Sequence, residues 1–264
     1  PSQLVEFDIN GEKYRVDTTK TNVIQDTGEV ELALKNVDPK KSNDILENIN
    51  LKTIKNLESV DKFETDIETK VQKLKTDISN LLRELGRIEI LVCNSGGPKA
   101  GPIAEASEDQ FLEAFQNHVL VNSLLANLLL PGMKTAHFGR IINIISTSVK
   151  IPIANLGVSN TIRAAVASWA KTLSLEVGEF GITVNNVLPG FTKTPRLEAL
   201  VKGAATREQK SEAQIIEAWK ATIPLRRFAE ASEVASVVGF LASARAGYVS
   251  GVSLPVDGGR TGSL

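Results

Sequence analysis

The chain has 264 residues, 42% of them hydrophobic, with 30 basic against 31 acidic side chains and a formal net charge of −1. That length and apolar share fit one α/β domain with a sizeable core, and the near-neutral balance supplies no basic patch for nucleic acid or an anionic membrane. A single cysteine, Cys93, excludes an internal disulfide framework and suits a reducing compartment.

The first residues lack a basic segment followed by an apolar run, so no signal peptide is expected. No stretch approaches the ~18 consecutive apolar residues of a membrane helix. The expected location is therefore cytoplasmic, with no membrane partner. Val5, Phe7 and Ile9 alternate with polar residues, Asn10-Gly11 follows, and Tyr14 and Val16 alternate again. Asn-Gly between alternating runs predicts a β-hairpin. Val30, Leu32 and Leu34 have strand spacing, and Asn43 to Leu57 reads as a lysine- and asparagine-rich amphipathic helix.

Val71 to Leu85 has helical spacing, stops at Gly86 and leads into a buried strand, Ile88 to Cys93. Asn94-Ser95-Gly96-Gly97-Pro98 is a turn. Glu108 to Leu130 reads as one long helix ending near Pro131-Gly132. A β-rich run, Ile141 to Ile145, ends on the hydroxyls of Ser146, Thr147 and Ser148. After a Pro/Asn/Gly loop, Ile162, Val166, Trp169 and Leu173 mark a helix passing the same point. Hydroxyls at a strand's C-terminal end beside a following helix are where open α/β sheets build ligand sites. Ile182 to Val187 is a short buried strand leading to Pro189-Gly190-Phe191-Thr192-Lys193-Thr194. Leu197 to Ala221 is a charged helical insertion in which Ile215 and Trp219 share an apolar face, for core packing or to line a pocket. Another helix starts at Ser232-Glu233, and a last strand runs toward Pro255-Val256-Asp257-Gly258-Gly259.

From about Asp66 onward these residues resemble the short-chain dehydrogenase/reductase family, whose members are single-domain Rossmann enzymes that use NAD(P). The family carries a catalytic Ser at the end of its fifth strand, a Tyr thirteen residues later and a Lys four beyond that. Ser146 stands at the Ser position, Ser159 at the Tyr and Arg163 at the Lys, followed by the usual small residues Ala164, Ala165 and Val166. A branch of the family with NSGGP and an SNxxR helix is similar. The resemblance implies a Rossmann-like, doubly wound, mostly parallel α/β sheet in one domain spanning 1–264. Residues 1–57 diverge from the pattern, and 195–223 would cover the substrate. It also implies cofactor contacts at Asp66, Ile67, Asn94, Ser95, Gly96, Arg163, Pro189, Gly190, Thr192 and Thr194. A dimeric or tetrameric homo-oligomer and a small carbonyl or alcohol substrate go with it, with no nucleic-acid partner.

Two departures matter. If Gly11 to Val16 were the family's first strand, Thr18, Asn22 and Ile24 would replace the three glycines of the phosphate-binding turn, where side chains crowd the backbone's approach to phosphate. Hairpin and altered first strand both stay open, and both disfavour an ordinary phosphate cradle. Lys35 or Lys40 meeting a ribose 2′-phosphate would favour NADP over NAD; otherwise both are solvated lysines on a turn. The second departure is chemical. The only tyrosines, Tyr14 and Tyr248, lie outside the Ser159 helix, and an arginine delivers no proton at neutral pH. The family carries an Asn of its proton relay thirteen residues before the Pro that ends the long helix, here the one from Glu108. The resemblance puts His118 there, beside Asn117, which makes it the neutral-pH relay candidate, acting through water and Ser159, against the bland alternative of a packed or surface histidine. Two functions follow: an NAD(P)-dependent oxidoreductase with a rebuilt relay, or a binding or oligomer-scaffold protein that kept the fold and lost turnover. A metal site fails on ligand count, and no GxSxG motif supports a hydrolase.

Overall fold

The computed structural model describes residues 4–9, 12–17, 22–25, 28–30, 69 and 72–263. The chain divides into two units, Pro1–Asp66 and Ile67–Leu264.

In the first unit four strands form an antiparallel sheet in the order β1-β2-β3-β4: β1 (Leu4–Ile9), β2 (Glu12–Asp17), β3 (Asn22–Gln25) and β4 (Gly28–Val30). Ile9 pairs with Glu12, the register of a hairpin with two intervening residues. Of the two readings of this segment, the antiparallel pair is the one present. Asn22 and Ile24 lie within β3, paired to Asp17 and Arg15, rather than in a turn between a strand and a helix. The strand expected over Val30, Leu32 and Leu34 and the helix over Asn43 to Leu57 lie, beyond Val30, outside the described residues. So do Lys35, Lys40, Asp66 and Ile67.

The second unit is a parallel sheet in the order β5-β6-β7-β8: β5 (Ile90–Cys93), β6 (Gly139–Ile144), β7 (Ile182–Pro189) and β8 (Ser253–Val256). Helices cover both faces, which gives a Rossmann-like α/β fold. Successive side chains of a strand point to opposite faces, and the core obeys this. Ile141 on β6 and Ile182 and Val184 on β7 pack with Ala126, Leu129, Leu130 and Met133 of α3 (Val121–Ala136) and with Ala170, Leu173 and Val177 of α4 (Gly157–Val177). Ile142 and Val187 pack on the other side with Val234 and Leu241 of α7 (Ala231–Ala242). A helix over residues 72–85, α1, adds Ile78 and Leu82 to the first layer. β5 is less buried than its apolar sequence implied: Ile90 and Val92 are exposed, because only Leu91's face is covered by helices among the described residues.

A chain of buried amides stitches the sheet to α3. The Asn122 side chain donates to Asn143 Oδ1 (3.2 Å), Asn143 to Asn186 Oδ1 (3.0 Å), and Asn186 to Ser253 Oγ (3.1 Å).

Three elements differ from expectation. The long helix from Glu108 is α2 (Glu108–Phe115), then a π-helical turn, Gln116–Leu120, then α3, which continues through Pro131 to Ala136. Met133, fully buried in the core, holds the last turn in place despite the N–H that Pro131 lacks. The insertion after Thr194 is two helices, α5 (Pro195–Glu208) and α6 (Glu212–Ala221). The break falls where Gln209 turns left-handed and Ser211 starts a capping box with Gln214. By length and composition the helical run Glu108–Ala136 could cross a membrane; here Ala126, Leu129, Leu130 and Met133 are spent on the core.

Candidate functional site

A cleft opens at the C-terminal ends of β5, β6 and β7. The loop after β5 brings Asn94, Ser95, Gly96 and Gly97; the end of β6 brings Ser146; the loop after β7 brings Pro189, Gly190, Thr192 and Thr194. α4 runs past this edge, and Ser159 and Arg163, four residues apart and so on one helical face, both line the cleft. The cleft measures about 730 Å³. A second hollow of about 690 Å³ lies beside it, with Ile151, Pro152, Ile153, Trp219 and Arg260 among its lining. The two share Ser146, Leu156, Pro189, Gly190, Phe191 and Leu200, so Ser146 stands at the boundary of a continuous two-part groove.

Gly190 is required by packing. A Cβ there would sit 2.7 Å from Asp257 Cβ and 2.8 Å from its Cα, so the loop after β7 can lie against the C-terminal segment only without a side chain. Thr192 donates to the Gly190 carbonyl (3.3 Å). Thr194 donates to the Thr192 carbonyl (3.3 Å) and accepts from Leu197 N–H (3.4 Å), capping the N-terminus of α5. Ser146 Oγ accepts from Ser148 N–H (3.1 Å) in a short turn, Thr147–Val149, which leaves its own hydroxyl proton to donate elsewhere.

Arg163 is only 7% exposed. It donates through Nη1 to the Ile144 carbonyl (2.9 Å) and through Nη2 to the Ser95 carbonyl (3.4 Å), tying the ends of β6 and β5 together, while its Nε has no partner. Burial, and then the charge of Arg196, lower its pKa to about 10; it remains a cation at neutral pH.

His118 is buried in the π-helical turn, a type of irregularity that frequently marks functional positions. Its Nδ1 lies 2.5 Å from Ser95 Oγ. Burial first, then Arg163's charge, push its pKa down to about 4, with a hydrogen bond to the Gly96 backbone opposing them. No direct hydrogen bond among the described residues joins His118 to Ser159; its contact with a residue lining the cleft is the one to Ser95. Asp66 and Ile67, expected beside the adenine, lie outside the described residues.

Sequence reasoning overlooked Arg196. It sits in the first turn of α5, lines the cleft, and donates through Nη2 to the Pro98 carbonyl (2.6 Å) across from the Gly96-Gly97 turn. The signal was its position directly after the TKTP run. Also overlooked was the stack of Phe191 on Trp219, with ring centroids 4.8 Å apart, which joins the loop after β7 to α6 at the second hollow. Among the described residues no cluster of His, Cys, Asp and Glu could hold a metal ion.

A family model described as enoyl-(acyl carrier protein) reductase matches residues 27–261. The chain is 35% identical over 193 residues to the 3-oxoacyl-[acyl-carrier-protein] reductase of Haemophilus influenzae, covering 72% of this chain and 74% of that protein. Among solved structures it is similar to L-sorbose reductase from Gluconobacter frateurii complexed with NADPH and L-sorbose, at 29% identity and a TM-score of 0.68, covering 74% of each chain. It is also similar to an actinorhodin polyketide ketoreductase variant with NADPH, at 27% identity and a TM-score of 0.70, covering 73% of this chain and 75% of that one.

Proposed function

The chain belongs to the short-chain dehydrogenase/reductase family, whose members are NAD(P)-dependent reductases, and from that premise we propose that it transfers hydride between NADP, or NAD, and a small carbonyl or alcohol substrate. The observation that carries this reading is the convergence of Ser146, Ser159, Arg163 and the Pro189–Thr194 segment on one groove. NADP is the preferred nucleotide, in keeping with the two NADPH complexes to which the chain is similar.

The cleft suits a nicotinamide dinucleotide. Its volume is in the range of cofactor sites, the backbone at Gly96 is open, with nothing within 4 Å of where a Cβ would project, and the buried Arg163 Nε is without a partner. Asn94, Ser95, Gly96, Arg163, Pro189, Gly190, Thr192 and Thr194 would hold it. When bound, the cofactor supplies the hydride.

The remaining chemistry belongs to the chain. Ser146, at the boundary of the two hollows, donates its free hydroxyl proton to the substrate oxygen and so orients the carbonyl. Ser159, which lines the same cleft, passes a proton between that oxygen and solvent. Arg163, one turn further along α4, is a fixed positive charge that favours the alkoxide as it develops. His118 is not the acid: with a pKa of about 4, only about one molecule in a thousand carries imidazolium at pH 7. It holds the turn after β5 by its bond to Ser95. Trp219, Phe191 and α5–α6 form the substrate side of the groove. Subunits associate through the apolar surface where Phe240, Tyr248, Val252 and Leu254 are exposed.

Titration of the protein with NADPH and NADH, followed by the fluorescence of Trp169 and Trp219, tests the reading. Micromolar binding and turnover on a carbonyl panel that falls about a hundredfold in Ser146→Ala are expected. Absence of binding by either nucleotide would remove the nicotinamide mechanism.

A further inference from the structure

Rossmann sheets ordinarily hold a dinucleotide's pyrophosphate against a glycine turn and the helix N-terminus that follows it. Asn22 and Ile24, which would replace two of those glycines if Gly11 to Val16 were the family's first strand, belong instead to an antiparallel strand. The wall of the cleft formed by α4 and the start of α5 offers an anion an anchor of its own. Among the described residues lining the cleft, the only ionisable side chains are Arg163 and Arg196. Arg163 is 93% buried, its two terminal nitrogens are spent on backbone carbonyls, and its Nε is unpartnered. No carboxylate in that lining offsets its charge, and a buried charge without a counter-ion is unfavourable until an anion arrives.

Arg196 adds a second guanidinium. It reaches from the first turn of α5 to the Pro98 carbonyl, and its Nη2 and Nε lie 3.4 and 3.5 Å from where a Gly97 Cβ would project. It thus bridges the cleft from the β7 side to the β5 side. The N-terminus of α5, capped by Thr194, brings the positive end of a fourteen-residue helix to the same wall. Two cations and a helix N-terminus, with no acid between them among the described residues, repel one another when the cleft is empty and attract a polyanion together.

Resting on the reading that the cleft takes NAD(P), we propose that Arg196, with the first turn of α5 and the charge of Arg163, binds the cofactor's pyrophosphate. Arg196 shares its donors between the Pro98 carbonyl and a phosphate oxygen, so that the bound nucleotide and the contact of α5 with the turn after β5 support one another. A guanidinium suits this because its fan of donors serves both acceptors at once.

The test compares the wild-type chain with Arg196→Gln, Arg196→Lys and Lys202→Gln. The last makes the same charge change at an exposed residue of α5 outside the cleft. NADPH binding is read by tryptophan fluorescence, inorganic pyrophosphate binding by calorimetry, and the melting temperature without ligand reports folding. Arg196→Gln is expected to weaken NADPH and pyrophosphate binding by about 10- to 100-fold, Arg196→Lys by less, and Lys202→Gln by no more than about twofold. Unchanged binding of both ligands by a folded Arg196→Gln overturns the proposal while leaving the nicotinamide reading intact. Arg196-dependent binding of pyrophosphate without binding of NADPH would support the anion site and sink the nicotinamide reading. Binding of neither by the wild type would sink both.

Discussion

At the scale of single residues, His118 is the side chain whose environment most changes its chemistry. An ordinary histidine titrates at 6.5; burial and the neighbouring Arg163 bring this one to about 4. The folded state therefore prefers neutral imidazole, and its contribution to stability is complete above pH 6.5. It is lost as the pH falls from 6.5 through 4, as the unfolded chain takes up a proton that the folded one refuses. The shift corresponds to about 3 kcal/mol at most. Denaturant unfolding of the wild type between pH 7 and pH 4 should show a steeper loss than His118→Gln, which keeps an acceptor for Ser95 without a titrating ring. Identical pH dependence in the two proteins would show that His118 is not held neutral by the fold. The same residue marks a limit of sequence reading: its count back from Pro131 singled it out, but spacing along a helix does not reveal a neighbour twenty-three residues away.

At the scale of elements, the amide chain Asn122–Asn143–Asn186–Ser253 shows how polar groups enter the centre of an apolar sheet. Asn143 is fully buried, and its amide lies between partners on α3 and β7. Asn143→Leu keeps roughly the volume and leaves Asn122 Nδ2 and Asn186 Oδ1 without their partner, at a cost of about 3 kcal/mol in unfolding free energy. Chemical denaturation measures this directly, and a change under about 0.5 kcal/mol, the range of ordinary surface substitutions, would mean that the chain is ornamental. Strands β6 and β7 were legible because they are apolar runs of the right length. The split of the insertion into α5 and α6 was legible in principle from Ser211 and Gln214, a capping-box pair that helical periodicity alone passes over. The passage of α3 through Pro131 was not legible, because local propensity argues for a stop and only the burial of Leu130 and Met133 overrules it.

At the scale of the whole molecule, Phe240 on α7, Leu254 on β8 and Tyr248 and Val252 between them in the chain are exposed. Isolated exposed apolar residues are ordinary, whereas a group of large ones is what the proposed association of subunits would cover. Light scattering should return the mass of a dimer or tetramer, and replacing Tyr248 and Leu254 together by Asp should reduce it toward that of one chain. A monomeric wild type would refute this surface.

The sequence by itself determined the parallel α/β layout from Ile88 onward, the placing of Ser146, Ser159 and Arg163 at its C-terminal edge, and the hairpin signal at Asn10-Gly11. All of these are local patterns: strand length, helical spacing and turn chemistry are written in neighbouring residues. Only the tertiary structure decided that His118 meets Ser95, and that Arg163 directs its terminal nitrogens to two strand ends. It also placed Arg196 across the same cleft. Hydrogen bonds and charges act through space, between residues that the chain separates by tens of positions, and burial then sets which of them are protonated and which are left without a partner.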